Sequence, residues 1–143
     1  VIGAKIFGKA ITIYQIPAMI SELVDVHFAS VDGFMLVVTG ILLVLGLFLE
    51  SLSMLLIMVP VLYPTVLSLG IDPIWFGIFF VILIEVALIT PPVGLNLFVI
   101  QAIAKTPLGV VAKGVFPFII LMMFAVVLVY IFPGIVMWLP SVL

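Results

Sequence analysis

From Phe34 to Leu69 the chain runs apolar with one charged side chain, Glu50, near its middle. The run is about twice the length a single bilayer span needs, so it reads poorly as one helix. At its centre stands Glu50-Ser51-Leu52-Ser53, with an apolar limb on either side. A helix of about 16 residues rises about 24 Å, short of the roughly 30 Å hydrocarbon core. Two short limbs meeting at a polar tip predict a re-entrant hairpin over 34–69 that enters and leaves on one side. Pro60 and Pro64 bend its second limb, and Gly70-Ile71-Asp72-Pro73 closes it with turn chemistry.

Composition names the solvent. Of 143 residues 68% are hydrophobic and 7% charged, against roughly 45–50% apolar in ordinary soluble domains. Lipid is the natural medium for such a chain, and the expected class is an all-α membrane protein. A net charge of −2 with no arginine gives no basis for a nucleic-acid partner. With no cysteine, disulfides, thiolate metal sites and Cys nucleophiles are excluded. The chain opens on Val1 without an initiator Met or an Ala-x-Ala-like site, which suggests a piece of a longer polypeptide.

Three segments follow. Residues 1–33 hold a first span to about Ile16, Pro17, a short helix from Ala18 to about Val24, and a polar outer loop with Glu22, Asp25, His27, Ser30 and Asp32 closed by Gly33. Residues 34–104 form the hairpin 34–69 and a second apolar region 74–104, interrupted by Thr90-Pro91-Pro92-Val93-Gly94. Adjacent prolines remove two backbone donors, so the spacing predicts half-helices Ile74 to Leu88 and Leu95 to Ala104 around an unwound stretch. Such a break is tolerated at membrane depth only where protein or a wet cavity meets the freed groups. Residues 105–143 give a loop with Lys105, Thr106, Pro107 and Lys113, then a final span from Val115 to about Phe132 with Trp138 as an interfacial anchor before Pro140. If lysines mark the cytoplasm, the hairpin dips in from outside and the broken helix runs inward.

Two features meet the needs of an ion inside a membrane. The tip offers the hydroxyls of Ser51 and Ser53, the Glu50 carboxylate and helix ends. The break offers Thr90, Asn96 and carbonyls around Pro91, Pro92, Val93 and Gly94. A half-helix C-terminus suits a small cation and an N-terminus suits a carboxylate. Sodium wants several oxygens, so tip and break together are expected to bind one sodium ion. The bland alternative is a Pro-Pro kink with serines bonded back to their own helix. Glu50 and Glu85, the intramembrane acids, are candidates for an ion pathway or a structural role. His27 reads as a solvated loop residue. Phosphate loops, paired metal-binding histidines and Gly-x-Ser-x-Gly elbows are all missing, so no enzyme is expected.

The residues resemble a known family. Gly46-Leu47-Phe48-Leu49-Glu50-Ser51 with Pro60 and Pro64, Asp72-Pro73-Ile74-Trp75-Phe76-Gly77, Glu85, and Thr90-Pro91-Pro92-Val93-Gly94-Leu95-Asn96-Leu97-Phe98-Val99 are similar to the DctM-type large membrane subunit of TRAP (tripartite ATP-independent periplasmic) transporters, as are Phe132-Pro133 and Trp138-Leu139-Pro140. The resemblance implies an inverted-repeat elevator carrier in the bacterial inner membrane, with two re-entrant hairpins and sodium as coupling ion in place of any cofactor. It implies as partners a small membrane subunit and a periplasmic binding protein delivering an organic acid, commonly a dicarboxylate or sialic acid. On that pattern Glu50 to Ser53 is the outer hairpin tip and Thr90 to Asn96 the unwound segment. Ser51, Ser53, Thr90, Gly94 and Asn96 are the expected sodium residues, with Glu50, Glu85, Pro91, Pro92 and Val93 near substrate or gate. Only the second repeat is present, so an N-terminal half is a further expected partner. A membrane scaffold subunit that moves nothing is the competing reading.

Overall fold

A computed structural model of the chain describes residue 13 and residues 30–91 and 94–142. Within them lie six helices and no strand: α1 Val31–Gly46, α2 Ser51–Ser68, α3 Pro73–Ile89, α4 Leu95–Ala104, α5 Leu108–Ile131 and α6 Gly134–Val142. The expected first span, the short helix after it and Glu22, Asp25 and His27 lie outside the described residues.

Each boundary has a local cause. Ser30 is extended and its hydroxyl accepts from the Gly33 amide, so α1 starts at Val31 rather than Phe34. Asp32 then falls in the first turn, where the helix dipole favours a carboxylate. The end of α2 is a Schellman turn on Gly70, at φ +70, with Ile71 N–H donating to Val66 O and Gly70 N–H to Leu67 O. The Asp72 carboxylate next accepts from the amides of Ile74 and Trp75, and Pro73 occupies the first helical position, where its missing N–H costs nothing.

Two boundaries differ from expectation. The loop before the last long helix is only residues 105–107: Lys113 lies inside α5, because the Pro107 carbonyl already accepts from Val110 and Val111 and starts the helix there. The chain beyond Phe132 folds into a further helix, α6, which carries exposed Trp138 and takes Pro140 into its last turn. Pro133 separates it from α5 by withholding the N–H that Val129 O would accept. The indole of Trp75 supplies the missing donor, with Nε1 at 2.9 Å from Val129 O. That one bond closes the backbone of α5 and ties α3 to it.

Helix α3 is the spine, packing against all five other helices. Its side chains Trp75, Phe76, Phe79, Phe80, Leu83, Ile84, Ala87 and Leu88 fill the core in the i, i+1, i+4 rhythm of a helix buried over most of its surface. At one end Tyr130 O–H donates to the Asp32 carboxylate, joining α5 to α1, and the Trp75 bond lies beside it. Asp32 and Asp72 line a shallow cavity at this end, which we term the root. The other end of α1 meets α3 at Ala87. Helix α1 therefore runs away from the root, α2 returns to it, and α3 runs away again. Lys105 terminates α4 at the end opposite Asp32 and Asp72.

Outside this core the surface stays apolar, with Phe116, Phe118, Ile120, Leu121, Phe124 and Val127 exposed along α5. Helices α2 and α5, of 18 and 24 residues, are long and apolar enough to cross a membrane, whereas α1, α3 and α4 are shorter. The second limb is thus longer than the expected 16 or so residues. An all-helical body with an apolar core and an apolar coat is what a lipid-solvated protein presents.

Replacing Trp75 with Phe keeps the ring beside Phe79 and Tyr130 but leaves Val129 O without a donor. A loss of about 1–3 kcal/mol is expected. Thermal unfolding in detergent micelles measures it, and an unchanged midpoint shows that the bond contributes nothing.

Candidate functional site

The tip between α1 and α2 closes on itself. Phe48 and Leu49 amides donate to Leu45 O at 3.0 and 2.9 Å, and Glu50 is extended. Its carboxylate accepts from the Ser53 amide at 2.9 Å, the Leu52 amide at 3.4 Å and the Ser53 hydroxyl at 2.7 Å. Glu50 is therefore the N-cap of α2, holding negative charge where the helix dipole favours it. Because the Ser53 hydroxyl spends its proton on Glu50, its lone pairs remain open. Ser51 is half-buried at the first helical position.

The break behaves the same way. At Thr90 the backbone leaves the helix (ψ 126), its amide donating to Ala87 O at 3.2 Å and its hydroxyl to Val86 O at 2.6 Å. Again the proton is used and the oxygen lone pairs are not. Pro91 is exposed, and Pro92 and Val93 lie outside the described residues. Gly94 sits at φ +47, and a Cβ there would stand 2.9 Å from Thr90 O and 3.0 Å from a Leu97 methyl. Both the backbone angle and the space demand glycine. Among the described residues no side chain caps α4; the Leu97 amide donates to Gly94 O at 2.7 Å, and the first turn presents the positive end of the helix dipole. Asn96, half-buried in its first turn, has no hydrogen-bond partner among the described residues.

Tip and break are neighbours. A Cβ placed on Gly46 would lie 2.2 Å from Ala87 Cβ and 3.3 Å from the Met54 sulfur. Ala87 is one turn before Thr90, so the hairpin tip packs on the last turn of α3 beside the unwound segment. Helix α5 packs against both α3 and α4 and thus accompanies the interrupted helix past its break. Among the described residues no hydrogen bond joins Ser51 or Ser53 to Thr90 or Asn96; the contact is carried by Gly46, Ala87 and Met54. Glu85 does not join the group. It stands on the exposed stripe of α3 with Ile74, Ile78 and Val81. No cluster of three His, Asp or Glu side chains suited to a metal occurs among the described residues.

Sequence reasoning missed Gly46 and Ala87 as the contact, because neither carries reactive chemistry. The available signal was size: Ala87 is the one alanine in α3, surrounded by Val86 and Leu88.

Comparison with known proteins gives a consistent set. Residues 1–135 match the family model described as "Tripartite ATP-independent periplasmic transporter, DctM component". The chain is 41% identical over 140 residues to a C4-dicarboxylate TRAP transporter large permease protein DctM of Pseudomonas aeruginosa, covering 97% of this chain and 33% of that protein. It is 31% identical over 145 residues to a sialic acid TRAP transporter large permease protein SiaM of Vibrio cholerae, covering 99% and 33%. With a 2,3-diketo-L-gulonate TRAP transporter large permease protein YiaN of Escherichia coli it shares 36% over 132 residues, covering 92% and 31%. The chain thus spans about a third of the length of these relatives.

Gly46→Val is expected to push the tip off α3 at a cost of about 1–3 kcal/mol, the usual range for overpacking. Gly94→Ala strains the left-handed angle by about 1–2 kcal/mol. Unfolding midpoints in detergent read both, and full stability in Gly46→Val removes the tip-to-break contact.

Proposed function

The chain belongs to the DctM component family of TRAP transporters, and on that premise we propose that it forms the C-terminal part of a large permease subunit that imports organic anions with sodium. The single observation that supports this most is the packing of the α1–α2 tip on α3 one turn before its break. Helices α1 and α2 then form a re-entrant hairpin: both limbs end at the root, and the tip reaches only as deep as the interruption that α5 passes by. In this reading 105–143 returns the chain across the bilayer, and 34–104 is the moving, elevator-type transport segment.

The chemistry follows from which groups are left open. Sodium is a hard cation that replaces its hydration shell with oxygens, and bound donors would repel it. Ser53 and Thr90 have turned their protons inward, to Glu50 and Val86 O, so their hydroxyls present lone pairs. Ser51, the Asn96 carbonyl and the backbone oxygens from Thr90 to Gly94 complete an oxygen set, with the negative end of α3 beside it. The substrate's anionic group takes the uncapped N-terminus of α4, where amide dipoles point outward. The α2 N-terminus is already occupied by Glu50, which keeps that end from competing for the substrate. Relatives named for C4-dicarboxylates, sialic acid and 2,3-diketo-L-gulonate all handle organic anions. Pro91 and Pro92 have no N–H to donate, so an unbroken helix cannot run through this segment; with Val93 they stand near substrate or gate in this reading. The remaining partners are the other part of the permease, a small membrane subunit and a periplasmic binding protein, in the bacterial inner membrane.

Uptake by the whole permease in liposomes, measured against sodium concentration, tests the reading. Ser51→Ala, Ser53→Ala, Thr90→Ala and Asn96→Ala are each expected to raise half-saturating sodium about tenfold, the equivalent of about 1.4 kcal/mol. Unchanged sodium dependence in all four contradicts sodium binding here and favours a packing role for both features.

A further inference from the structure

Proline in a helix interior leaves the carbonyl four residues earlier without its donor. In lipid that carbonyl has no water to turn to. The molecule shows its own answer once: Pro133 frees Val129 O, and Trp75 from a neighbouring helix donates to it. Pro117 frees Lys113 O in the second turn of α5, on a lysine, and Pro140 frees Val136 O in the terminal helix α6.

Helix α2 is different. Pro60 frees Leu56 O and Pro64 frees Pro60 O, and no side chain among the described residues donates to either. Along this part of α2 Leu56, Val59, Tyr63, Pro64 and Leu67 are exposed and Pro60 is half-buried. The Tyr63 hydroxyl is also without a partner among the described residues. Beside this stripe runs the exposed stripe of α3, Ile74, Ile78, Val81 and Glu85, at i, i+4, i+7 and i+11. The two stripes enclose an open apolar groove of about 550 Å³, walled by Val59, Tyr63, Ile74, Ile78 and Val81. At the tip end of the α3 stripe stands Glu85, an exposed acid without a hydrogen-bond partner among the described residues. An aliphatic acyl chain fills the groove but satisfies none of these groups. The outer face of α5, from Phe116 to Val127, carries no such demand and suits lipid.

We propose that the α2–α3 seam is an internal interface of the assembled permease, covered by a helix from the part of the transporter that this chain does not span. The covering helix places apolar side chains into the groove and hydrogen-bond donors toward Leu56 O, Pro60 O and Glu85. This rests on the reading of the chain as part of a larger permease. The relatives have the material for it, since this chain covers 33% of the Pseudomonas aeruginosa protein. Glu85 is thereby a docking group, with a donor from the covering helix as its partner, rather than a ligand of the transported ion.

Photo-crosslinking in the whole permease in its native membrane tests the seam. Benzoylphenylalanine is placed singly at Tyr63, Ile78 and, as the lipid-facing reference, Phe124. Tyr63 and Ile78 are expected to crosslink to a helix of the permease outside this segment, identified by mass spectrometry, and Phe124 to lipid. Lipid adducts at all three positions, or crosslinks from Tyr63 and Ile78 to a second copy of the same seam, overturn the proposal. As a second readout, Glu85→Leu is expected to lower the yield of assembled permease several-fold, with Glu85→Gln restoring most of it; equal or higher yield for Glu85→Leu places Glu85 in lipid and overturns the docking role. Neither readout depends on sodium-driven uptake, so a failed uptake assay with intact crosslinks counts against the transport reading alone.

Discussion

The hydrocarbon of a bilayer offers a backbone neither donors nor acceptors, and the helix interruptions among the described residues are shaped by that rule. Five gaps separate the helices among the described residues, and four of them carry closing bonds from the chain itself. Glu50 caps α2 across the tip, and Gly70 with Asp72 closes one helix and opens the next. Thr90 folds its hydroxyl and amide back onto α3, and Trp75 answers the carbonyl that Pro133 abandons. Where closure is complete the structure is self-sufficient. Where it is incomplete, at the α4 N-terminus and along α2, the open groups point to what else must be present.

Position follows from α3. Because it is buried over most of its circumference, it fixes α1, α2 and α5 relative to one another. The root is polar and bonded, with Tyr130 reaching Asp32 across the bundle. The tip is held, among the described residues, by close packing at Gly46 on Ala87. A hairpin fastened at one end and packed at the other presents its polar turn to the break without being bonded to it. Proposed ion binding at that junction draws on the same economy of protons: hydroxyls that donate inward leave oxygens facing outward.

Much of this was legible in the sequence. Glu50-Ser51-Leu52-Ser53 marked the turn because charge and hydroxyls in the middle of an apolar run have few other uses, and Thr90 to Gly94 marked the break because paired prolines forbid a continuous helix. The start of α4 at Leu95 and its end at Ala104 followed directly. The start of α5 did not. Pro107 reads in sequence as loop, yet its carbonyl makes a serviceable helix start, which drew Lys113 into the helix. Helix α6 escaped notice because Pro133 precedes it and Pro140 lies within it. Contacts between distant residues, Gly46 with Ala87 and Trp75 with Val129, left no periodic trace, since they depend on how helices pack and not on any one helix. Glu85 was visible as an acid in lipid, but its direction away from the break required coordinates.

The depth of two labels measures the central claim most directly. This segment has no cysteine, so in a permease whose other cysteines are replaced single cysteines can be introduced at Phe48 on the tip and at Pro91 in the break, both exposed. With nitroxide labels in the reconstituted permease, power-saturation contrast between oxygen and a water-soluble nickel chelate gives each position's depth. Both labels are expected within the hydrocarbon core, at depths within about 5 Å of each other, roughly one helical turn. Phe48 at the aqueous face opposite Asp32, with Pro91 in bulk water, would mean that the hairpin crosses the bilayer outright and that the helix breaks outside it.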